Sequence, residues 1–164
     1  MREWIRYGKF APEGLQALLG FDRYVRQCGL EPSLLELVRI RVSQINNCGY
    51  CIDIHTKDAR AEGESEQRLY CLSAWSETPF YSDRERAALA WAEAIVKLSE
   101  TQIPDEVYEN ARAHFSDKEL VDLTMTVIAI NGMNWLAVSF NTPAGSYHRN
   151  SPTTIQRVPE SGNV

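Results

Sequence analysis

Residues 31–63, EPSLLELVRIRVSQINNCGYCIDIHTKDARAEG, read as two helices joined by a tight turn. Pro32 suits a first helical turn, and Ser33 with Glu36 has the spacing of a capping box. Leu34, Leu35, Leu37, Val38, Val42 and Ile45 then recur with helical period and mark a buried side. Asn47 is a good N-cap for the second helix, which Gly63 can close. A helical hairpin is the expected unit, with Cys48 and Cys51 at the start of its second arm.

The same punctuation recurs on both sides of this hairpin. A preceding helix is expected from Pro12 to about Gln27, ending near Gly29, with Leu15, Leu18, Leu19, Tyr24 and Val25 on its apolar face. After the hairpin, SEQRLYCLSAW (65–75) carries a short helix. Ser82 and Glu85 form a capping box for a fifth, and Pro104 opens a sixth. Ser116 and Glu119 form another box, leading into a long last helix whose LVDLTMTVIAINGMNWLAVSF (120–140) is apolar on most sides and so calls for neighbours all round. Alternating β-branched runs and hairpin turns between them are absent, so the fold class is expected to be all-α. From about Asn141 the chain carries Pro143, Pro152 and Pro159 with little apolar periodicity. The expected organisation is one helical domain over 1–140 and an extended or partly disordered tail over 141–164.

A chain of 164 residues is long enough for one domain with its own core. With 17 Lys and Arg against 22 Asp and Glu, its net charge is −5. No dense basic block stands out, so neither nucleic acid nor a membrane surface is an expected partner. MREWIRYGKFAPEG (1–14) lacks the apolar run of a signal peptide, and no uninterrupted apolar stretch approaches the roughly 20 residues that span a bilayer. A soluble cytoplasmic protein is expected. In that compartment thiols are kept reduced, and a close cysteine pair is more often catalytic or metal-binding than a structural bridge.

Cys48 and Cys51 are three residues apart and His55 follows four later, so one helix places all three on one face. In an antiparallel hairpin, at about 1.5 Å per residue, Glu36 lies about 15 Å below the top of its helix and His55 about 12 Å down the other. They can meet at similar depth, with Cys51 above them. An ordinary thiol is only about 3% ionised at neutral pH. A helix N-terminus can contribute up to about 2 kcal/mol toward the thiolate, and a histidine held by a carboxylate can take the proton. Such a thiolate attacks a peroxide oxygen, and a second cysteine captures the sulfenic acid as a disulfide. Other readings of the same residues stand beside this one. Glu36 can serve only the capping box, and His55 can be an ordinary helical histidine. Cys48, Cys51 and His55 can supply three ligands to a structural zinc, although such a site wants four and no second paired motif exists. A thioredoxin-like site sets its C-x-x-C after a strand, and none is expected here.

Glu36, eleven residues, CGYC (48–51), three residues and His55 resemble the E-x11-C-x2-C-x3-H signature of the alkylhydroperoxidase AhpD core, within the carboxymuconolactone decarboxylase family. The likeness runs from roughly Leu30 through the last helix. It implies an all-helical fold assembled as a homo-oligomer, a trimer or hexamer, with thiol-dependent peroxidase activity. By that resemblance Cys51 is the peroxidatic cysteine, Cys48 the resolving one, and His55 and Glu36 a proton relay working through water. The implied partners are a hydroperoxide substrate and a dithiol reductant such as a lipoyl group or thioredoxin. No metal, flavin or haem is implied, because the Cys48/Cys51 dithiol is itself the redox cofactor. The founding decarboxylase branch opens a lactone-acid without a cysteine pair, so the family name does not give the activity. Three positions depart from the pattern, in two places. Tyr50 stands where AhpD has histidine, and Met133 and Trp135 stand where close relatives tend to have tryptophan and arginine. A redox-sensing or disulfide-reducing protein with little peroxide turnover is the alternative of the same chemistry.

The remaining conspicuous residues have plainer readings. Cys28 and Cys71 are expected as buried fillers, and Trp75, Trp91 and Trp135 as core or interface. Arg39 and Arg41 are expected in solvent or at an interface ahead of pairing with acidic neighbours or binding a carboxylate, His114 and His148 at the surface, and Tyr50 in packing ahead of lining the entry of a peroxide or hydrogen-bonding it.

Overall fold

A computed structural model describes residues 2–149. Among them are eight α-helices, one 3-10 helix and no strand. The order is α1 (Tyr7–Phe10), α2 (Pro12–Arg26), α3 (Pro32–Ile45), α4 (Gly49–Ala61), α5 (Glu66–Cys71), the 3-10 helix Leu72–Glu77, α6 (Asp83–Val96), α7 (Asp105–His114) and α8 (Asp117–Ser139). The all-α expectation holds. Both later capping boxes form as expected, Ser82 with Glu85 on α6 and Ser116 with Glu119 on α8.

The centre of the fold is α3. Leu34 to Ile40 is a run of seven consecutive buried residues, followed by Val42 and Ser43, so the helix is enclosed on every side. It packs against α4, α6 and α8. One core lies between α3, α6, α7 and α8, with Cys48 and Cys51 at its edge. A smaller one joins Leu37 and Ile40 to Ala59, Leu69, Leu72, Tyr81 and Leu89. The helix enclosed all round is therefore α3 and not the last helix, for which that was expected. On α8, Val121, Ile128, Trp135 and Val138 remain exposed. By length and composition α8 could cross a bilayer, but half of its most apolar window is buried inside the fold. Its polar residues bind other helices: Tyr24 donates to Asp122 at 2.8 Å, and Asn134 donates to Ser43 at 3.0 Å.

Two local expectations are corrected in the hairpin. Pro32 is at the first turn of α3, but Glu31 is the N-cap and Ser33 makes no capping bond, so Ser33 and Glu36 form no capping box. The start of α3 is set two residues earlier than the box requires, and this frees the Glu36 carboxylate. At the turn, Asn47 is not the N-cap of α4. It adopts a left-handed φ of 53° that reverses the chain, while Cys48 N donates to Ser43 O at 2.9 Å. The cap falls on Cys48, whose sulfur accepts the Cys51 N–H at 3.4 Å.

Residues 141–149 carry no helix or strand and lie along α4. Gly145 N donates to Asp53 Oδ2 at 3.0 Å, Lys57 Nζ to the Tyr147 carbonyl at 3.0 Å, and Tyr147 OH to Asp58 Oδ1 at 2.6 Å. The rest of the expected tail, 150–164, lies outside the described residues.

The left-handed turn gives a direct test. Asparagine and glycine tolerate positive φ, whereas a residue with an ordinary Cβ loses roughly 1 kcal/mol there. Urea denaturation is expected to find Asn47→Ala less stable than the parent by about that amount. Asn47→Gly should stay within a few tenths of a kcal/mol of it. Equal stability of the two variants would show that the turn does not need this conformation.

Candidate active site

The α3–α4 hairpin brings Glu36 and His55 into contact. His55 Nδ1 lies 2.8 Å from Glu36 Oε2, and both side chains are buried. With Nδ1–H donating to the carboxylate, Nε2 is left as the nitrogen that can take a proton. The other carboxylate oxygen accepts from Arg39 Nη1 at 2.9 Å and lies 3.5 Å from Arg26 Nη1. Asp22 on α2 completes the chain of charges, accepting from Arg39 Nη2 at 3.2 Å and Arg26 Nε at 2.8 Å. Burial alone would push the Glu36 carboxyl up. The hydrogen bond and charge of His55, with Arg39 and Arg26 behind them, outweigh it and hold the group down at about 2. Glu36 is thus an ionised, buried anchor for the imidazole.

Arg39 was expected in solvent or at an interface, and that is corrected: it is only 1% exposed. It sits within helical reach of Glu36 on the fully enclosed helix, so its charge has to be met inside the protein. Arg41, by contrast, is partly exposed and pairs with Glu93 at 2.7 Å, which also accepts from Trp75 Nε1.

Cys48 and Cys51 form a coupled dithiol at the N-terminus of α4. Their exposures are 1% and 4%. The Cys48 thiol is pulled below its ordinary value, first by the hydrogen bond from the Cys51 side chain, against burial, with the backbone N–H groups of Cys51 and Tyr50 assisting. The Cys51 thiol is pushed up by the same shared hydrogen bond, by burial and by the charge on Cys48, with the Asn134 side chain acting the other way. Acidity therefore sits on Cys48.

Access sits on Cys51. A cavity of about 420 Å³ is lined by Cys51, His55, Tyr50 and Ile54 from the start of α4, by Leu19, Asp22, Arg23 and Arg26 from α2, and by Ile130 and Met133 from α8, with Asp58 and Tyr147 at its side. Cys48 is not among its lining residues. No hydrogen bond joins His55 to either sulfur among the described residues, and His55 and Cys51 meet only as lining of the same cavity. Tyr50, expected in packing with the entry to the site as the other reading, lines this space. Burial, followed by the nearby Tyr7 and the two cysteines, pushes its hydroxyl well up, so it stays a neutral phenol.

Of the four residues singled out for chemistry, Glu36 and His55 are bonded, Cys48 and Cys51 are bonded, and Cys51 and His55 share the cavity. The three-ligand zinc set of Cys48, Cys51 and His55 does not assemble. Among the described residues, the one group of three side chains with ligand atoms within 4.8 Å of one another is Glu36, His55 and Asp58. There Glu36 and His55 are already bonded to each other, and Asp58 to Tyr147.

Several contributing residues went unread in the sequence. Asn134 is fully buried between Asn46, which donates to its Oδ1 at 2.9 Å, and Ser43, to which it donates. It is also the neighbour that eases ionisation of Cys51. Its signal was a polar residue in the middle of an apolar helix. Asp22 and Arg26 lie on a different helix, far from the motif, and only their i, i+4 spacing hinted at a pair.

Residues 12–94 match the carboxymuconolactone decarboxylase family. YdfG of Bacillus subtilis (strain 168) is 40% identical over 146 residues, which cover 89% of this chain and 99% of YdfG. A solved protein of unknown function from Agrobacterium tumefaciens, suggested to be the antioxidant defence protein AhpD, superimposes with a TM-score of 0.86 at 40% identity, over 89% of this chain and 100% of that one. The alkylhydroperoxidase AhpD core of a peroxidase-related protein from Ralstonia eutropha JMP134 shares the fold, with a TM-score of 0.75 at 19% identity, over 85% of this chain and 75% of that one. The hairpin, the buried Glu36–His55 pair and the capped dithiol thus stand on a shared scaffold, and the chain belongs to the carboxymuconolactone decarboxylase family as an AhpD-like member.

Proposed function

We propose that the protein is a thiol-dependent peroxidase that reduces organic hydroperoxides through the Cys48/Cys51 pair. The observation that supports this most is the opening of Cys51 and His55 onto one cavity while Cys48 sits behind Cys51, hydrogen-bonded to it. In the resting pair Cys48 carries the first negative charge and Cys51 keeps the shared proton. Moving that proton along the sulfur–sulfur hydrogen bond turns the cavity-facing sulfur into the thiolate, with the Asn134 amide beside it.

Cys51 Sγ attacks the terminal oxygen of the hydroperoxide. An S–O bond forms, the O–O bond breaks, and the leaving alkoxide becomes the alcohol by taking the proton that His55 Nε2 accepted when the dithiol first ionised. The Cys48 thiol then attacks the sulfenic sulfur of Cys51, the S–O bond breaks, and hydroxide leaves with the Cys48 proton as water. Two thiols are oxidised to a disulfide and one hydroperoxide is reduced to alcohol and water. An external dithiol resets the pair by exchange. The depth of both sulfurs favours a slender reductant such as a lipoyl arm, which can enter the cavity, over the broad face of a folded protein. The exposed stripe Val121, Ile128, Trp135 and Val138 on α8 supports the expected homo-oligomeric assembly.

One equivalent of hydroperoxide is expected to remove two thiols, mapped to Cys48 and Cys51 by alkylation and mass spectrometry, with dithiol restoring both. Either Cys48→Ser or Cys51→Ser should abolish turnover. Full turnover in both single variants would remove the proposal.

The order of ionisation has its own test. In a Cys28→Ser, Cys71→Ser background, thiolate absorbance near 240 nm should show one cysteine titrating below the ordinary cysteine range. Cys51→Ala should move that midpoint upward, because the hydrogen bond from Cys51 is the largest cause of the Cys48 shift. An unmoved midpoint would mean that the charge does not rest on Cys48.

Glu36 carries a pH signature in stability. Its folded value of about 2 lies below the ordinary 4.5. The stabilisation is therefore fully present above about pH 4.5 and is lost as pH falls toward 2, on the order of 3 kcal/mol in all. Denaturation curves across that window are expected to fall more steeply for the parent protein than for Glu36→Gln. Parallel curves would show that Glu36 is not held ionised.

A further inference from the structure

The cavity beside Cys51 is larger than a peroxide group requires. Its volume of about 420 Å³ falls in the range of pockets that enclose whole organic molecules, about 300–1,000 Å³. Hydrogen peroxide would leave most of it unfilled. Leu19, Ile54, Ile130 and Met133 give it an apolar wall.

The charges around that wall are not equivalent. Asp22 is taken by Arg26 and Arg39, Glu36 by His55 and Arg39, and Asp58 by the Tyr147 hydroxyl. Arg26 is committed in turn to Asp22 and lies beside Glu36. Arg23 is different. It lines the same cavity one helical turn beyond Leu19, it is exposed, and among the described residues no carboxylate lies within ion-pair distance of it. Its Nη2 lies over Gly20, 3.6 Å from where a Cβ would stand, which is an ordinary contact. One face of α2 thus presents an apolar side chain at the wall and an uncommitted cation beside it.

Resting on the peroxidase reading above, we propose that the substrate is an amphipathic hydroperoxide carrying a carboxylate. Its apolar body lies against Leu19, Ile54, Ile130 and Met133 with the peroxide at Cys51, and its carboxylate pairs with the Arg23 guanidinium, whose planar fork matches it. Because that pair is open to solvent, its contribution to specificity is a modest factor, about fivefold.

Two inert ligands with the same body isolate the charge. Octanoate and octanamide are titrated calorimetrically into the reduced full-length protein. Octanoate is expected to bind about fivefold more tightly, the difference vanishing in Arg23→Gln and persisting in Arg23→Lys. Equal affinity for the two ligands in the parent protein, or a matching loss for both in Arg23→Gln, would overturn the proposal. A second arm measures kcat/KM for a carboxylated hydroperoxide and a neutral one of equal length. Their ratio is expected to fall about fivefold in Arg23→Gln, and an unchanged ratio would overturn the assignment of Arg23. The binding arm uses no peroxide, so the two readings fail separately. Octanoate selectivity without turnover of either hydroperoxide would remove the peroxidase reading and the hydroperoxide assignment with it. Turnover of both with no preference would remove the carboxylate assignment alone.

Discussion

A carboxylate inside a protein must be neutralised by its neighbours, and the architecture around Glu36 follows from that requirement. Glu36 and Arg39 share the one helix that is enclosed on all sides, where an unmet charge would cost several kcal/mol. Each meets the other and a partner from a neighbouring helix, His55 on α4 for the carboxylate and Asp22 on α2 for the guanidinium. Three helices are thereby fixed at one depth. The apolar contacts of α3 hold the bundle together without choosing a register, because leucine and valine tolerate small shifts. The chain of charges does not tolerate them, since a shift of one residue would rotate Glu36 away from His55. The same bonds that satisfy buried charge therefore aim the imidazole.

How much of this was legible in the sequence depended on the range of the interaction. The capping boxes of α6 and α8 were readable because serine and glutamate three residues apart complete them locally. The meeting of Glu36 and His55 was readable because a hairpin with a short turn converts separation along the chain into depth by the fixed helical rise. Ser33 and Glu36 show where local reading misleads. Their spacing is that of a capping box, but the helix starts at Pro32 and the carboxylate is drawn to a partner nineteen residues away. Arg39 was misread for a related reason. Nothing beside it in sequence says that Asp22 will arrive from another helix. Asn47 was taken as a cap because of its residue type, while its tolerance of a left-handed turn was the property used.

The dithiol divides its labour by position. Cys48, at the helix cap, is pulled below its ordinary value by the Cys51 side chain and, against burial, by the backbone N–H groups, but it lies behind its partner. Cys51, one turn in, faces the cavity and keeps the proton. A single residue with both properties would be a permanently exposed thiolate, open to any oxidant. In the proposed cycle, separating charge from access keeps the reactive form available by a proton shift while the resting form presents a neutral thiol to the cavity.

The departures from the AhpD-like pattern can be weighed against the same geometry. Tyr50 and Met133 both line the cavity, whereas Trp135 is 64% exposed on the outer face of α8. Among the described residues, none of the three makes a hydrogen bond to the Glu36–His55 pair. A histidine at position 50 would put a second titratable ring beside Cys51, and the phenol, held neutral by burial, does not. Methionine is flexible and apolar, so at 133 it adapts to an organic body that a rigid ring would exclude. The relay stays fixed by its buried charges while the wall is free to change, because the wall residues carry no charge that the fold must satisfy. On the proposed peroxidase reading, chemistry and selectivity are therefore set by different residues of one cavity, and a substitution at 50 or 133 alters what enters without disturbing how the imidazole is held.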